Sequence, residues 1–327
     1  MKTHNPELRF IKEGWNGNPL DANGRYVNQY NPFMPELKKL IRWQTERNPH
    51  RQEKKRDTFT MLINTSGEFL TSTNDCIVWL GHATFFMRLG GTTLLLDPVL
   101  SSIGSTVKRK SPLPVTINQL TNIDYIFLSH DHRDHADKPS IQALFKQNPH
   151  VKFRTSLGCD ELLYSWTKTN AIQAAGWYQQ YTGINGFEAY FLPSRHWGRR
   201  LFSDTNKRLW GAFIFKTPTH TIYFSGDTGY DAHLPEVAQL FGTIDYCIIG
   251  AGAYKPEWFM GSAHISPTNA VRAAEEMNAR YTIPMHFGTF DLSDEPLGDP
   301  YRVLQKLSAT SRTNILFPAL GEEVVLQ

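Results

Sequence analysis

The sequence has little cysteine and no long apolar run. Its three cysteines, Cys76, Cys159 and Cys247, lie far apart and form no Cys-x-x-Cys pair. They therefore provide neither a disulfide framework nor a cysteine zinc knuckle. No apolar stretch approaches the roughly 20 residues of a membrane-spanning helix, and no signal-peptide pattern follows the first residues. We expect a cytoplasmic protein whose thiols are buried and free.

The composition is that of an ordinary globular protein. Hydrophobic residues make up 40% and charged residues 20% of the chain, which excludes disordered, collagen-like and coiled-coil classes. The chain of 327 residues is longer than one average domain, and the pattern of residues changes near residue 75, where short apolar runs begin. The first 70 residues are rich in Asn and Pro and contain one helical pattern, at 35–44. We predict an N-terminal extension over residues 1–70 that packs on a single domain over residues 71–327.

The net charge of +3 is too small to indicate nucleic-acid binding, but the charge is unevenly placed. Residues 1–60 contain 12 Lys and Arg against 7 Asp and Glu, and they include aromatic side chains at positions 15, 26, 30, 33 and 43. Basic and aromatic residues suit an anionic membrane surface. We therefore predict peripheral contact with the inner face of the membrane. The alternative is a solvated arm lying on the core.

Short apolar runs alternate with helical patterns after residue 75. Three runs separated by glycines, at 76–80, 85–89 and 92–97, predict an antiparallel meander. Further strands are predicted at 124–129, 151–155, 187–192, 209–216, 221–225, 246–249, 281–285, 314–317 and 323–326, and helices at 139–146, 160–167, 267–277 and 301–307. The pattern indicates a mixed α/β fold in which helices cover layers of sheet.

The most informative string is the one that follows the strand at 124–129. It delivers four potential metal ligands within six residues, His130, His132, Asp134 and His135. His130 and His132 are two apart, so in extended backbone they point the same way and can hold one ion. Asp134 and His135 come where the chain turns, so they can serve a second ion. Imidazole suits zinc or iron, and a carboxylate tolerates manganese as well.

Three further candidates each come just after a predicted strand. His196 follows the strand at 187–192, Asp227 follows 221–225, and His286 follows 281–285. Open α/β sheets usually place their ligands beyond the ends of their strands. We therefore expect these three side chains to join the histidine-rich loop in one metal-binding site.

The candidate ligands and several short motifs resemble a known family. The ligand set resembles the metallo-β-lactamase superfamily. The motifs resemble the N-acylphosphatidylethanolamine-hydrolysing phospholipase D family and its bacterial relatives over residues 75–300. They are WLGHAT (79–84), LDP (96–98), PSRHW (193–197), LWG (209–211), GDTGY (226–230), GAY (252–254), WFM (258–260) and HFGTF (286–290).

The resemblance implies a four-layer αββα sandwich and a site for two divalent ions, with zinc preferred over manganese or iron. It implies that His264 lies near the substrate phosphate and that Asp134 and Asp227 are catalytic. Lys255 and Glu257 differ from the animal enzymes, which puts lipid specificity in question. The implied ligands are His130, His132 and His196 for one ion, Asp134, His135 and His286 for the other, and Asp227 shared between them.

The charge of such a site suits an anionic substrate. Two divalent ions, less Asp134, Asp227 and a bridging hydroxide, leave about one positive charge, and paired ions stabilise both oxygens of an in-line displacement. We therefore predict a phosphodiesterase of the phospholipase D type, in which the hydroxide attacks phosphorus. The alternative is a sugar-phosphate lactonase, which needs a small polar pocket instead of a long apolar one. A metal site serving only stability is disfavoured, because structural sites are closed and four-coordinate.

Several neighbouring residues are candidates for supporting roles. Asp97, at the end of an apolar strand, is expected to orient a metal-bound imidazole. His82 either lines the pocket or ends a strand. Arg195, Arg199 and Arg200 flank His196 and are candidates for fixed positive charge near the substrate, or are solvated. The oligomeric state is open, with a homodimer as one alternative.

Overall fold

Two seven-stranded β-sheets form the centre of the molecule in a computed structural model that describes residues 1–327. The first sheet contains β1 (Cys76–Gly81), β2 (Thr84–Leu89), β3 (Thr92–Leu96), β4 (Tyr125–Leu128), β5 (Lys152–Ser156), β6 (Ile172–Ala175) and β14 (Glu323–Val325), in the order β14-β1-β2-β3-β4-β5-β6. The predicted antiparallel meander of β1, β2 and β3 is confirmed. The pairs from β3 to β6 are parallel.

The second sheet contains β7 (Gln179–Gln180), β8 (Glu188–Leu192), β9 (Ala212–Lys216), β10 (Thr221–Phe224), β11 (Ile244–Gly250), β12 (Ala279–Met285) and β13 (Asn314–Ile315), in the order β13-β12-β11-β10-β9-β8-β7. The pairs from β10 to β13 are parallel, and those from β7 to β10 are antiparallel. The strands β8, β10, β11 and β12 therefore run in the same direction and end at the same edge.

Helices lie outside the two sheets. They are α1 (Leu37–Thr45), α2 (Arg51–Arg56), α3 (Lys138–Gln147), α4 (Cys159–Thr167), α5 (His233–Phe241), α6 (Glu257–Met260), α7 (Pro267–Glu276) and α8 (Asp299–Ser308). Helix α4 packs on β5 and β6 and α3 packs on α4, whereas α5, α7 and α8 pack around β11, β12 and β13. No helix has the length and apolarity that crossing a bilayer requires.

Alternating side chains divide the core into layers. Phe127 of β4 points towards the second sheet and meets Phe213 and Phe215 edge to face, with ring centroids 5.3 and 5.0 Å apart. Its neighbours Ile126 and Leu128 point to the opposite face, where they belong to the cluster that includes the buried residues of α3. Successive strand residues face opposite sides, so the order helix, sheet, sheet, helix follows. The predicted αββα fold is confirmed.

The main differences from the sequence-based elements are omissions. The pattern analysis missed α2, α5 and α6 and the short strands β6 and β7. Helix α5 was missed because Pro235 stands inside its first turn and no side chain caps its start. The predicted strand at 209–216 begins only at Ala212, because Leu209 instead bonds to Leu157.

The N-terminal residues contact both the edge of the second sheet and the loop that carries His196. A bridge joins Phe10 to Gln179, and Tyr26 is fully buried. The Asn28 side-chain oxygen accepts hydrogen bonds from the His196 backbone N–H at 3.0 Å and from Trp210 Nε1 at 3.2 Å. The division of the chain at residue 70 stays a prediction, but this segment supports the loop that carries His196.

Candidate metal centre

The candidate ligands lie beyond the carboxyl ends of four strands. The loop 129–135 follows β4 of the first sheet, and His196, Asp227 and His286 follow β8, β10 and β12 of the second. The two sheets face each other, so the loop ends of both meet along one edge of the sandwich. The positions expected from the sequence are therefore brought together in space.

The first set of side chains, which we call the His196 group, contains His130, His132, His196 and Asp227. One ligand atom from each lies within 4.8 Å of the others. His196 Nε2 is 3.0 Å from His132 Nδ1 and 3.6 Å from Asp227 Oδ2, and His130 Nε2 is 3.9 Å from the same carboxylate oxygen. These four side chains converge on one small volume.

The second set, the His286 group, contains Asp134, His135, His286 and Asp227. His135 Nε2 lies 3.1 Å from Asp227 Oδ2, and His286 Nε2 lies 3.1 Å from Asp227 Oδ1. Asp134 Oδ2 is 3.5 Å from His286 Nε2 and 3.8 Å from His135 Nε2. Asp227 therefore stands between the two groups, as the shared position requires.

Several buried polar atoms of these side chains have no hydrogen-bond partner, and this shows whether the two groups suit metal ions. Nε2 of His130, His135 and His286 and Oδ2 of Asp227 are buried without a hydrogen-bond partner. Buried polar atoms in proteins are nearly always paired, so a convergence of unpaired ones requires an explanation. Tetrahedral zinc with bonds near 2.05 Å separates its ligand atoms by about 3.3 Å, and the distances here straddle that value. The residues fit divalent cations.

The charges of the site suit the same role. Burial lowers the pKa of His130 and His196 well below the usual value, so both imidazoles are neutral, the form that binds metal. Burial raises the pKa of Asp227, but the positive charges of the His135 and His286 rings hold it well below the usual value. Burial disfavours a protonated His286, yet Asp227 and Asp134 raise its pKa to about 9. Cation binding will therefore release protons.

Hydrogen bonds behind the ligands fix their orientation. His135 Nδ1 donates to Oδ2 of the fully buried Asp97 at 2.7 Å. Asp97 also accepts from the Ser129 backbone N–H at 2.7 Å and from Ser129 Oγ at 2.5 Å. His196 Nδ1 donates to the Ala263 carbonyl at 2.9 Å. Each bond turns the opposite ring nitrogen towards the cluster, which is the role expected of Asp97.

Two of the three arginines near His196 bind neighbouring loops of the protein and do not point into the metal-binding cluster. Arg200 donates to the carbonyls of Asp131 and Ala136, both at 2.8 Å, and so clamps the histidine-rich loop. Arg195 Nε lies 3.4 Å from Asp231. Arg199 has no acidic partner and stacks on Trp197, its guanidinium carbon 4.9 Å from the ring centroid. Only Arg199 is free to contribute positive charge.

His264 lies at the open side of the site. Its Nδ1 is 3.8 Å from Asp227 Oδ2, and its ring centroid is 5.3 Å from those of both His196 and His286. The His264 side chain is 18% exposed, and so is that of Asp134. The remaining three members of the His286 group, His135, His286 and Asp227, are buried. Burial lowers the pKa of His264 to about 4, so its ring is neutral near pH 7.

A cavity of about 390 Å³ opens beside His264. That volume lies within the range of small-molecule sites, roughly 300–1,000 Å³. Its lining is more apolar than polar and comes from three parts of the chain, namely residues 32–36 with Lys39, Trp197, and residues 258–260 with 262–264. The sequence analysis missed that the N-terminal extension forms a wall of this cavity, because nothing in its composition places it beside His264.

Sequence comparison places these features in a family. A profile described as a beta-lactamase superfamily domain matches residues 92–287. The chain belongs to the metallo-β-lactamase superfamily, and metal-dependent hydrolases are among its relatives. It is 30% identical over 212 residues to a metal-dependent hydrolase of Caldivirga maquilingensis, with 65% of this chain and 82% of the relative covered. The predicted superfamily is therefore confirmed.

A second relative is more informative about the subgroup. The chain is 31% identical over 307 residues to N-acyl-phosphatidylethanolamine-hydrolyzing phospholipase D 1 of Caenorhabditis elegans, with 88% of this chain and 85% of the relative covered. The resemblance found in the motifs is therefore confirmed. Among solved structures, a metallo hydrolase from Ignicoccus hospitalis matches with a TM-score of 0.60 at 17% identity, covering 78% of this chain and 99% of that one. At that identity it supports the fold alone.

Proposed function

We propose that this metal-dependent hydrolase is a phosphodiesterase of the phospholipase D type that acts on N-acylphosphatidylethanolamine-like phospholipids. Water adds to phosphorus, the bond from phosphorus to the headgroup oxygen breaks, and the products are a phosphatidate and the headgroup alcohol. The worm relative, named for this reaction, supports the proposal over most of the chain.

We assign one cation to His130, His132 and His196, a second to Asp134, His135 and His286, and Asp227 to both. Zinc is the expected metal because imidazole nitrogens dominate the donor set, with manganese or iron as alternatives. When bound, paired divalent cations lower the pKa of water and stabilise the attacking and leaving oxygens of a phosphoryl displacement. The ligand geometry of the two groups supports this assignment.

The protein's own groups then position the substrate and the water. Asp134 is partly exposed and its pKa is held well below the usual value, against burial, by His135, His286 and His82, so it accepts a hydrogen bond from the attacking water. The neutral His264 ring donates a hydrogen bond to a phosphate oxygen. The indole of Trp197, 4.5 Å from the His132 ring, closes the site on the side of the cavity.

The cavity is the observation that favours a lipid over a lactone. A sugar-phosphate lactone is small and polar, and its pocket needs hydroxyl-binding side chains. The cavity beside His264 is lined mainly by apolar side chains, among them Phe33, Trp258 and Phe259, and its polar side chains besides His264 are Glu36, Lys39 and Ser262. Apolar walls that end at a metal-binding cluster suit a substrate with an acyl chain on one side and a phosphodiester on the other.

Purified protein loaded with zinc tests the proposal. We expect hydrolysis of N-acylphosphatidylethanolamine in mixed micelles, with phosphatidate as the lipid product, and loss of this activity on chelation followed by recovery when zinc is restored. A sugar-phosphate lactone and a β-lactam serve as comparison substrates. Turnover of the lactone alone would establish the alternative function. Turnover of none of them would favour a purely structural metal site.

A lipid substrate requires contact with a lipid surface, and we propose that α1 and its surroundings make it. Leu37 and Ile41 of α1 are 61% and 51% exposed, and Phe202, beyond the Arg199 side chain, is 88% exposed. Lys38 and Arg42 belong to the same helix, where Arg42 pairs with Glu46 at 2.6 Å and Lys38 has no acidic partner. Each basic group near an anionic surface contributes about 1 kcal/mol, and the apolar side chains add burial in the interface.

The double variant L37D/I41D tests this surface better than removal of the N-terminus, because deletion would also remove Asn28 from His196. We expect the variant to bind anionic phospholipid vesicles at least several-fold more weakly in a sedimentation assay and to hydrolyse a soluble aryl phosphodiester at the wild-type rate. L62D is the matched control, since Leu62 is even more exposed (73%) than Leu37 and Ile41 but lines a different cavity. Equal vesicle binding by L37D/I41D and wild type would remove this surface from the proposal.

A further inference from the structure

His82 belongs to the site but has no place in the proposed ligand set. It occupies the two-residue turn between β1 and β2, with a positive φ of 54°. Its Nε2 lies 3.1 Å from Asp134 Oδ2, and its ring centroid is 4.0 Å from that of His286. The side chain is buried. His82 therefore touches two members of the His286 group at once.

The backbone of His82 is tied to the segment that carries His286. The His82 carbonyl accepts from the His286 N–H at 3.2 Å and from Trp79 Nε1 at 2.8 Å, and its own N–H donates to Thr289 Oγ1 at 2.8 Å. Gly81, with a φ of 107°, allows this close approach, since a Cβ there would collide with Arg109 and Thr289. The turn thus joins the first sheet to the loop after β12.

The hydrogen bond to Asp134 decides what the His82 ring can do. An ionised carboxylate only accepts hydrogen bonds, so the shared proton belongs to His82 Nε2. By contrast, Nε2 of His135 and His286 is buried without a partner. His82 offers a nitrogen within 4.8 Å of the ligand atoms of Asp134, His135 and His286, but its Nε2 is aligned for a hydrogen bond to Asp134, whereas Nε2 of His135 and of His286, although 3.1 Å from Asp227, makes none. Asp134, His135, His286 and Asp227 also supply four donor atoms without it, the number usual for zinc.

We propose that His82 is a positioning residue, whose Nε2–H holds Asp134 Oδ2 and whose ring packs on His286, so that both are preset for the second cation. The inference rests on the two-cation centre assigned above. Groups that orient metal ligands through hydrogen bonds typically change metal affinity by about 10- to 100-fold when they are removed. The effect is expected at the His286 group and not at the His196 group.

Two substitutions separate positioning from direct ligation. H82F keeps an aromatic ring against His286 but removes the donor, whereas H82Q restores an amide donor near the position of Nε2 and is a poor zinc ligand. The measurement is a zinc titration against a chromophoric chelator, fitted to two sites, with the visible absorption of the cobalt-substituted protein as a second readout. F290L is the matched control, because Phe290 packs edge to face against the His82 ring, with centroids 5.1 Å apart, but donates no hydrogen bond to Asp134.

We expect H82F to bind the second cation about 10- to 100-fold more weakly and the first with unchanged affinity. H82Q should recover most of the loss with a cobalt spectrum like that of the wild type, and F290L should match the wild type. If H82F is unfolded by circular dichroism, H82N takes its place, since Asn tolerates positive φ but is too short to reach Asp134.

Three results would overturn the inference. Wild-type affinity for both cations in the donor-free variant would show that His82 has no role. If H82Q binds the second cation as weakly as H82F does and has an altered cobalt spectrum, His82 is itself a ligand of that cation. A wild-type protein that binds a single cation would remove the second site itself. Because these titrations use no substrate, failure to hydrolyse phosphodiesters would refute the proposed function without affecting them.

Discussion

Replacing His135 with Ala is expected to leave one tightly bound cation per chain and to lower phosphodiester turnover by about 10³-fold. The expected factor follows because a catalytic cation supplies several kcal/mol to the transition state and each 1.36 kcal/mol is tenfold in rate. His135 contacts Asp227 at 3.1 Å through Nε2 and Asp97 through Nδ1. Its removal opens the His286 group while the His196 group keeps all of its members.

Metal content of H135A after dialysis, and its kcat on a soluble phosphodiester, check this expectation. H150A is the matched control, because His150 is an exposed histidine in the turn after α3. We expect H150A to retain two cations and full activity. A H135A protein that still holds two equivalents of metal would show that the assignment of His135 as a ligand is wrong.

Replacing Asp227 with Asn is expected to have an even larger effect, the loss of both tightly bound cations and of all measurable turnover. Asp227 Oδ2 lies 3.1 Å from His135 and 3.6 Å from His196, and its Oδ1 lies 3.1 Å from His286. Its carboxylate therefore contacts members of both groups. The neutral amide keeps the size of the side chain but removes a charge that both cations need.

The control for D227N is D245N. Asp245 stands at the start of β11, whereas the site lies beyond the far ends of β10 and β12, and it pairs with the exposed Arg280 at 3.2 Å. We expect D245N to keep its metal and its activity. If D227N retained either cation with wild-type affinity, Asp227 would not be shared between the two sites.

The sequence was most informative about the metal-binding side chains, and the reason is physical. Four candidate ligands lie within six consecutive residues, and Asp227 and His286 each come directly after an apolar run. Strand ends converge at one edge of a layered α/β fold, so separation along the chain says little about separation in space. Asp97 could also be predicted, because a carboxylate at the end of an apolar strand needs a buried partner.

Contacts between distant segments could not be predicted in the same way. Nothing in the pattern pairs Asn28 with the His196 backbone, or Arg200 with the carbonyls of the histidine-rich loop. His82 in the β1–β2 turn was recognised as a candidate, but its contact with Asp134 depends on how the two sheets face each other. Each of these contacts is a single hydrogen bond between distant residues, and no periodic pattern in the sequence marks the two residues that form it. The cytoplasmic location and the homodimer stay predictions, since no feature of the fold bears on them.

We infer that seven side chains from strand ends of both sheets hold a pair of divalent cations. Elemental analysis of the purified protein after dialysis against metal-free buffer tests this most directly. We expect two equivalents of metal per chain, falling to one in H135A and to none in D227N. Fewer than two equivalents in the wild-type protein grown with sufficient zinc, manganese and iron would contradict the account.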